Sequence, residues 1–143
     1  MDRTGKARWE GDLKQGKGTL SLGSGAFAGA YSFGTRFEGA PGTNPEELIG
    51  AAHAACFSMA FSGGLSRVGF IPTSVETTAT VHLGRVDGGS AITGIDLVCR
   101  AVAGNIPPEL LAKTAEDAKA NCPVSKALAA VPITLTLVGG PTA

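Results

Sequence analysis

The spacing of apolar and polar residues divides the chain into short alternating stretches and one long, mostly apolar segment. Short stretches such as Gly18–Leu22 and Tyr31–Phe33 are separated by frequent glycines, which predicts a β-meander with tight turns. The apolar segment opens with Asn44, Pro45 and two acidic residues, a capping and charge pattern that predicts the first turn of a helix. Apolar residues on almost every face of this helix predict that it is buried. We expect the helix to run to about Ser62, where two glycines weaken it, and either to end there or to resume over Leu65–Val68 before Gly69.

Beyond Pro72 the pattern predicts a strand hairpin, an amphipathic helix, a short helix and a final strand. Pro123 cannot continue the amphipathic helix, so we expect a new one to begin beside it. The pattern is typical of an α+β fold, and we expect one domain over residues 1–143. The inward-facing side chains of the second hairpin strand should be Ile95, Leu97, Cys99 and Ala101. In order, the expected elements are Ser74–Leu83, Ala91–Ala103, Glu109–Ala120, Val124–Ala129 and Ile133–Val138.

Composition and charge argue against several function classes. The 143 residues carry twelve Lys plus Arg and twelve Asp plus Glu, and they contain no basic run that would neutralise phosphates. We therefore expect no nucleic-acid partner. The first residues are polar, without the core of a signal peptide, and no apolar run approaches the ~18 residues of a membrane span. We therefore expect no membrane partner and a cytoplasmic location.

Thiol chemistry is the first hypothesis for the function, because three cysteines stand in a chain with little else that is reactive. A cytoplasmic cysteine is reduced by default, and a reactive thiol must be ionised by nearby positive charge or hydrogen-bond donors. Cys122 precedes Pro123, so its sulfur should lie at a helix N-terminus that favours the thiolate. Cys56, inside the long helix, would need activation from elsewhere in the fold, such as from Arg36. Cys99 faces the core and is interpreted as structural.

Two other functions fit some of the same residues. His53 lies three positions before Cys56 on the same side of the helix, so a cysteine hydrolase or transferase with a Cys/His pair is one alternative. The other is a binding module for small hydrophobic molecules, with Phe57, Met59 and Phe61 lining a pocket. The two histidines and three cysteines show no metal-ligand spacing, and we expect neither a metal nor a cofactor.

Three longer motifs narrow the choice between these functions. The stretches Thr35–Gly39, Gly42–Ala60 and Asn121–Ser125 together closely resemble the OsmC branch of the OsmC/Ohr family. The opening Trp9–Gly18 and the strand Ala91–Ile95 fit that branch too, so the resemblance covers essentially the whole chain. The acidic helix start, its spacing to the cysteine and the remote Cys-Pro pair make the resemblance specific.

The resemblance implies an OsmC-like fold in which antiparallel strands pack around central helices. It also implies an intertwined homodimer whose two active sites are lined by both chains. The implied activity is that of a thiol-dependent peroxidase that reduces organic hydroperoxides and hydrogen peroxide, an antioxidant in osmotic and oxidative stress defence. The second partner would be a dithiol reductant, such as a protein-bound lipoyl group.

The resemblance assigns roles to four residues. Cys56 would be the peroxidatic thiolate, oxidised to a sulfenic acid, and Cys122 the resolving thiol that closes the Cys56–Cys122 disulfide. Arg36 would stabilise the thiolate and hold the peroxide, with Glu46 fixing its guanidinium. Local sequence instead favours Cys122 as the activated thiol. On a continuous helix Glu46 and Cys56 are ~15 Å apart in rise, so either the helix begins after Glu46 or Arg36 reaches between them.

Overall fold

The structure is a computed structural model that describes residues 1–140 of the chain. Those residues form six strands and four helices, which confirms the predicted α+β class. One compact unit spans Met1–Leu48 and a second begins at Ile49, and the expectation of a single domain stays a prediction. The elements are β1 (Gly5–Glu10), β2 (Lys17–Leu22), β3 (Ala28–Tyr31), α1 (Phe33–Phe37), α2 (Pro45–Arg67), β4 (Ser74–Val86), β5 (Gly89–Val102), α3 (Pro108–Asn121), α4 (Pro123–Ala127) and β6 (Ile133–Leu137).

The first unit is built on an antiparallel sheet in the order β1-β2-β3, which confirms the predicted meander. Gly18 in the middle strand lies opposite both Trp9 and Tyr31. A Cβ atom on Gly18 would come within 2.3 Å of the Tyr31 ring, so glycine is needed for this ring to lie across the strand. Within Met1–Leu48 the only buried residues are Gly18 and Glu46, so this sheet has no buried apolar core of its own.

The strand expected to include Tyr31–Phe33 ends at Tyr31, because the short helix α1 begins two residues later. Ser32 caps this helix: its Oγ accepts a hydrogen bond from the Thr35 amide at 3.2 Å. In return, Thr35 Oγ1 accepts a hydrogen bond from the Ser32 amide at 2.9 Å. The pair satisfies two amides that a helix start leaves free, with threonine in the position where glutamate or glutamine is usual.

The long helix α2 begins at Pro45, as predicted. Asn44 caps it, since its Oδ1 accepts a hydrogen bond from the Glu47 amide at 2.9 Å. Glu46 therefore lies in the first turn of the same helix that carries Cys56 in its middle. The alternative that the helix begins well after Glu46 is wrong.

The end of α2 agrees with the alternative in which the helix resumes over Leu65–Val68, and the helix has no break at the two glycines. The helix continues from Ser62 through Gly63 and Gly64 to Arg67. A Cβ atom on Gly64 would come within 2.9 Å of the Thr114 methyl group, so the glycine allows close contact with α3. Gly64 therefore serves packing rather than helix termination.

Helix α2 is buried on one side, so the prediction of burial on almost every face is wrong for the other side. Phe57, Phe61 and Leu65 recur at four-residue spacing, are fully buried and belong to the core of the second unit. Met59 points the other way and is 77% exposed. The alanines that are also exposed on this helix are Ala51, Ala52 and Ala55.

The length and composition of α2 alone would allow it to cross a membrane, which departs from the expectation that no apolar run approaches that length. The helix has 23 residues, and its most apolar 18-residue window has a mean hydropathy of 1.4. Core helices also pass this test. Because Phe57, Phe61 and Leu65 pack in the core with residues of β5, core packing accounts for much of the apolar character of α2.

The second sheet has the order β4-β5-β6. Strands β4 and β5 form the predicted hairpin, and the four side chains expected to face inward from β5 are all buried. Strand β6 pairs with β5 in parallel, so the expectation of antiparallel strands is wrong for this pair. Helices α3 and α4 lie between these two strands along the chain, and such a crossover is what a parallel neighbour requires.

The junction between α3 and α4 is a single residue, Cys122. Its amide donates to the Ala118 carbonyl at 2.8 Å, the last bond of α3, and its carbonyl accepts from the Lys126 amide at 3.0 Å, the first bond of α4. Pro123 has no amide hydrogen and begins α4, as its position in the sequence predicts. Cys122 is thereby fixed from both sides.

Candidate active site

Two cysteines that are 66 residues apart in sequence meet inside the second unit. The Sγ atoms of Cys56, in the middle of α2, and Cys122, at the α3–α4 junction, lie 2.9 Å apart as free thiols. An S–S bond is about 2.05 Å long, so a short movement of the two side chains would join them. The structure thus brings together the two thiols to which the family resemblance gives catalytic roles.

The three cysteines differ in access to solvent. Cys56 is partly exposed, whereas the Cys122 side chain is fully buried at 0%. Cys99 is also fully buried, on β5 opposite Thr77, and burial raises the pKa of its thiol. A molecule arriving from solvent therefore meets Cys56 first, and Cys99 has the setting of a structural residue.

The hydrogen bonds around the pair act oppositely on the two thiols. Burial raises the pKa of the Cys56 thiol, and the hydrogen bond with Cys122 raises it further, although the Val124 amide lowers it in part. Burial acts to raise the pKa of Cys122 as well. Hydrogen bonds from Cys56, from Ser125 and from the Val124 amide outweigh that effect, so the pKa of Cys122 is lowered.

These directions agree with the prediction from local sequence that Cys122 is the more readily ionised thiol. Helix α4 has only five residues, so individual amides rather than a long helix dipole supply the stabilisation. The amides of Val124 and Ser125 belong to the first turn of α4, where a helix offers no carbonyl partner.

His53 does not pair with Cys56. Its Nε2 atom lies 2.8 Å from Ser125 Oγ, and its Nδ1 atom is buried without a partner among residues 1–140. Burial lowers the pKa of His53. The Cys/His arrangement required by a cysteine hydrolase or transferase is therefore absent in the part of the chain that the structure describes.

The first unit contains a second group of expected site residues. Arg36, on α1, holds Glu46 through Nε, which lies 3.2 Å from both carboxylate oxygens, and through Nη2, at 2.7 Å from Oε1. The Glu46 residue is 8% exposed, and the Arg36 side chain is 38% exposed. This is the bidentate geometry in which arginine binds carboxylates most strongly. Arg36 and Glu46 are brought together, and their roles stay predictions.

Sequence reasoning missed Ser125 and the contact it makes with His53. The signal that could have found it is the Cys-Pro-x-Ser spacing, which places the serine in the first turn of α4. A hydroxyl there can reach the residue that caps the same helix. Its second partner is 72 residues away in sequence, and no local pattern indicates that contact.

The three residues expected to line a small-molecule pocket do not share one. Phe57 and Phe61 are fully buried in the core, with ring centroids 5.8 Å apart. Met59 lies on the opposite, exposed side of α2. The geometry therefore gives no support to a hydrophobic binding module built from these side chains.

Comparison with known proteins identifies the family. The family described as OsmC-like protein matches residues 37–137, and Arg36 directly precedes that range. Over 131 residues the chain is 54% identical to Peroxiredoxin OsmC of Escherichia coli strain K12, covering 91% of this chain and 92% of that protein. The chain belongs to the OsmC-like family.

Solved structures agree with this assignment. OhrB of Bacillus subtilis, an organic hydroperoxide resistance protein, is 27% identical with a TM-score of 0.76, and the match covers 94% of this chain and 98% of that one. An OsmC protein of Legionella pneumophila is 22% identical, also with a TM-score of 0.76, over 95% of this chain and 97% of that one. The OsmC-like fold is confirmed, and the protein is a cysteine-based peroxidase.

Replacing Cys122 with alanine should lower the pKa of the Cys56 thiol, because the hydrogen bond and the charge of Cys122 both raise it. A lower pKa gives more thiolate at a given pH, so the midpoint for alkylation of Cys56 by iodoacetamide should move to lower pH. Mass spectrometry of the Cys56 peptide across a pH series measures this midpoint. Cys99→Ala is the matched control, and a midpoint that moves upward in Cys122→Ala would contradict the expectation.

Proposed function

We propose that this protein reduces organic hydroperoxides, with Cys56 attacking the peroxide and Cys122 closing a disulfide. The observation that carries the proposal is the 2.9 Å separation of a partly exposed sulfur and a fully buried one. The E. coli relative is a peroxiredoxin and the Bacillus subtilis neighbour an organic hydroperoxide resistance protein, which supports the chemistry and the substrate class. We expect hydrogen peroxide as a second substrate and a role in oxidative and osmotic stress defence.

The thiol pair can supply the proton that peroxide cleavage needs. With one proton on the pair, the Cys56 thiolate attacks the outer oxygen, the O–O bond breaks, and the leaving alkoxide takes the proton of the Cys122 thiol. The products are an alcohol, a Cys56 sulfenic acid and a Cys122 thiolate. The Cys122 thiolate then attacks the Cys56 sulfur, so that an S–S bond forms as the S–O bond breaks and hydroxide leaves.

Access, rather than acidity, selects Cys56 as the attacking thiol in this scheme. The pKa of Cys122 is lowered, but a peroxide must contact the sulfur that it oxidises, and the Cys122 sulfur is fully buried. The two sulfurs share a hydrogen bond, so a proton can pass from Cys56 to Cys122 and expose a thiolate at the accessible site.

Arg36 and Glu46 complete the proposed machinery, on the basis of the family resemblance. Arg36 would stabilise the Cys56 thiolate and hold the peroxide. The support in the structure is that Glu46 binds one edge of the guanidinium, through Nε and Nη2, and fixes its orientation. A fixed arginine offers its remaining donors to an anion at a smaller entropic cost than a mobile one.

The two cysteine variants separate attack from resolution. Cys122→Ser should consume about one equivalent of cumene hydroperoxide and then accumulate sulfenic acid at Cys56, with sulfinic acid in excess oxidant, because no thiol closes the disulfide. Cys56→Ser should consume none. Turnover with a dithiol such as dihydrolipoamide should fall steeply in both. Mass spectrometry after single-equivalent oxidation reads out each site.

The reverse result would exchange the roles. Oxidation of Cys122 in Cys56→Ser, together with an unreactive Cys122→Ser, would show that the more acidic thiol attacks first. His53→Ala should keep most of the peroxide consumption, since no peroxide-cleaving step uses the imidazole. Loss of that activity in a folded His53→Ala protein would show that the imidazole takes part in peroxide cleavage.

The role of Arg36 has its own test. Arg36→Ala should slow peroxide attack about tenfold or more and move its pH dependence upward, because the positive charge that the family resemblance assigns to the Cys56 thiolate would be lost. Arg8→Ala is the matched control, since Arg8 also pairs with a glutamate, at 3.1 Å, but is well exposed. A pH profile of Cys56 alkylation that is the same in Arg36→Ala and Arg8→Ala would contradict the proposed role.

We also propose that the protein is an intertwined homodimer with active sites lined by both chains. Two observations support it: α2 exposes Met59 beside several alanines, and no apolar side chain in Met1–Leu48 is buried. Light scattering should give twice the chain mass, and Met59→Asp should shift the protein toward monomer. Thr78→Asp, at an exposed position of β4, is the control. A monomeric unmodified protein would rule the dimer out.

The cycle requires a reductant and a compartment in which thiols are maintained. We propose a dithiol reductant, such as a protein-bound lipoyl group, because reduction of an intramolecular disulfide by a dithiol ends in a second closed disulfide. We also propose a cytoplasmic location, because free thiols persist where glutathione and thioredoxin are kept reduced. Steady-state rates with dihydrolipoamide against a monothiol, and fractionation of cells, test these two points.

A further inference from the structure

A chain of buried polar groups continues inward from the thiol pair. The Cys122 sulfur lies 2.9 Å from the Cys56 sulfur, and Ser125, in the first turn of the helix that Cys122 precedes, lowers the pKa of the Cys122 thiol through its amide and its hydroxyl. Ser125 Oγ in turn lies 2.8 Å from Nε2 of His53. Ser125 and His53 are both buried, and the peroxide chemistry described above gives neither of them a task.

The surroundings of His53 favour a ring that carries its proton on Nε2. Ser125 has one hydroxyl hydrogen, and when that hydrogen points to the Cys122 sulfur, whose pKa the hydroxyl lowers, the oxygen accepts from His53 Nε2 at 2.8 Å. Nδ1 is buried without a partner among residues 1–140, and an unprotonated nitrogen is less costly there than an orphaned N–H. Burial also lowers the pKa of His53, which agrees with a neutral ring protonated on Nε2.

The contacts close a ring between two helices. His53 and Cys56 stand one turn apart on α2, and Ser125 lies in the first turn of α4, directly after Cys122 and Pro123. Each of the two α2 residues therefore contacts one of the two residues around the α4 start. Such a network, in which His53 Nδ1 is left without a partner among residues 1–140, holds its members in one arrangement.

We propose that His53 and Ser125 are positioning residues for disulfide closure: His53 orients the Ser125 hydroxyl, and that hydroxyl stabilises the Cys122 thiolate that attacks Cys56. This inference rests on the proposed function. In the step, the Cys122 sulfur bonds to the sulfur of the Cys56 sulfenic acid, the S–O bond breaks and hydroxide leaves, while the serine hydrogen stays on Oγ. When a dithiol later attacks the disulfide at Cys56, the same hydroxyl stabilises Cys122 as the leaving thiolate.

The size of the effect follows from two opposing terms. A hydrogen bond to a charged group changes an equilibrium about 10- to 100-fold, so losing it would deplete the Cys122 thiolate by that factor. The nucleophilicity of a sulfur rises as its pKa rises, which recovers about half of the loss on a logarithmic scale. Ser125→Ala should therefore close the disulfide roughly 3- to 10-fold more slowly.

The experiment follows both steps in one reaction. Reduced protein is mixed with one equivalent of cumene hydroperoxide and quenched over time with dimedone, and mass spectrometry counts Cys56 sulfenic acid and Cys56–Cys122 disulfide. Ser125→Ala is compared with Ser125→Thr, which keeps the hydroxyl, and His53→Leu with His53→Gln, which keeps an N–H donor. Ser58→Ala is the matched control, because Ser58 lies on the same helix α2 and its Oγ donates a hydrogen bond of 2.8 Å to Thr77 of β4.

The expected result is a longer-lived sulfenic acid in Ser125→Ala and His53→Leu, recovery in Ser125→Thr and His53→Gln, and normal closure in Ser58→Ala. Equal closure rates in Ser125→Ala and the unmodified protein would overturn the inference, as would equal slowing in Ser125→Ala and Ser58→Ala. If Ser125→Ala does not fold, the closure rates of His53→Leu and His53→Gln test the inference instead, and equal rates in these two variants would overturn it. Failure of the proposed function looks different, because then the unmodified protein consumes no peroxide.

Discussion

The placement of Cys122 between two helices is the constraint on which the site depends. Its amide makes the last hydrogen bond of α3 and its carbonyl accepts the first of α4, while Pro123 prevents one continuous helix. A residue fixed from both sides presents its sulfur to α2 in a single geometry, 2.9 Å from Cys56. The amides of Val124 and Ser125, in the first turn of α4, act to lower the pKa values of these thiols, so the turn that fixes Cys122 also stabilises its thiolate.

Placing these polar groups inside an apolar core costs free energy unless they bond to one another. Cys122, His53 and Ser125 are buried in the unit whose core contains Phe57, Phe61 and Leu97. An unpaired buried polar group costs roughly 1–3 kcal/mol, and the mutual hydrogen bonds of the network offset most of that penalty. Any change that moves one member leaves another unsatisfied, which ties the geometry of the thiol pair to the stability of the core around it.

Local signals in the sequence predict most of the fold. The cap at Asn44 predicts where α2 begins, and the alternation in β5 predicts its buried face, because both depend on neighbouring residues. The passage of α2 through Gly64 depends on the remote contact with Thr114, and the parallel pairing of β6 with β5 depends on the intervening helices. Within the site, local sequence predicts an activated Cys122. The pairing of Cys122 with Cys56 is predicted by the family resemblance. Neither the local sequence nor the resemblance predicts the contact between Ser125 and His53.

The two thiols divide the requirements of a peroxidase that no single cysteine meets well. A sulfur that meets hydroperoxide must be accessible, and an accessible thiolate in the presence of oxidant is open to irreversible oxidation. In the proposed mechanism, full burial shields Cys122 from the oxidant, and its lowered pKa would keep it ready to attack once Cys56 is oxidised. Cys56 is the thiol that solvent and oxidant can reach, and its raised pKa limits the fraction of Cys56 that is ionised when no peroxide is bound. Local sequence predicts that Cys122 is the more readily ionised thiol, and the family resemblance predicts that Cys56 attacks first. These predictions are compatible, because a hydrogen-bonded thiol pair that shares one proton can be more acidic at one sulfur and react at the other.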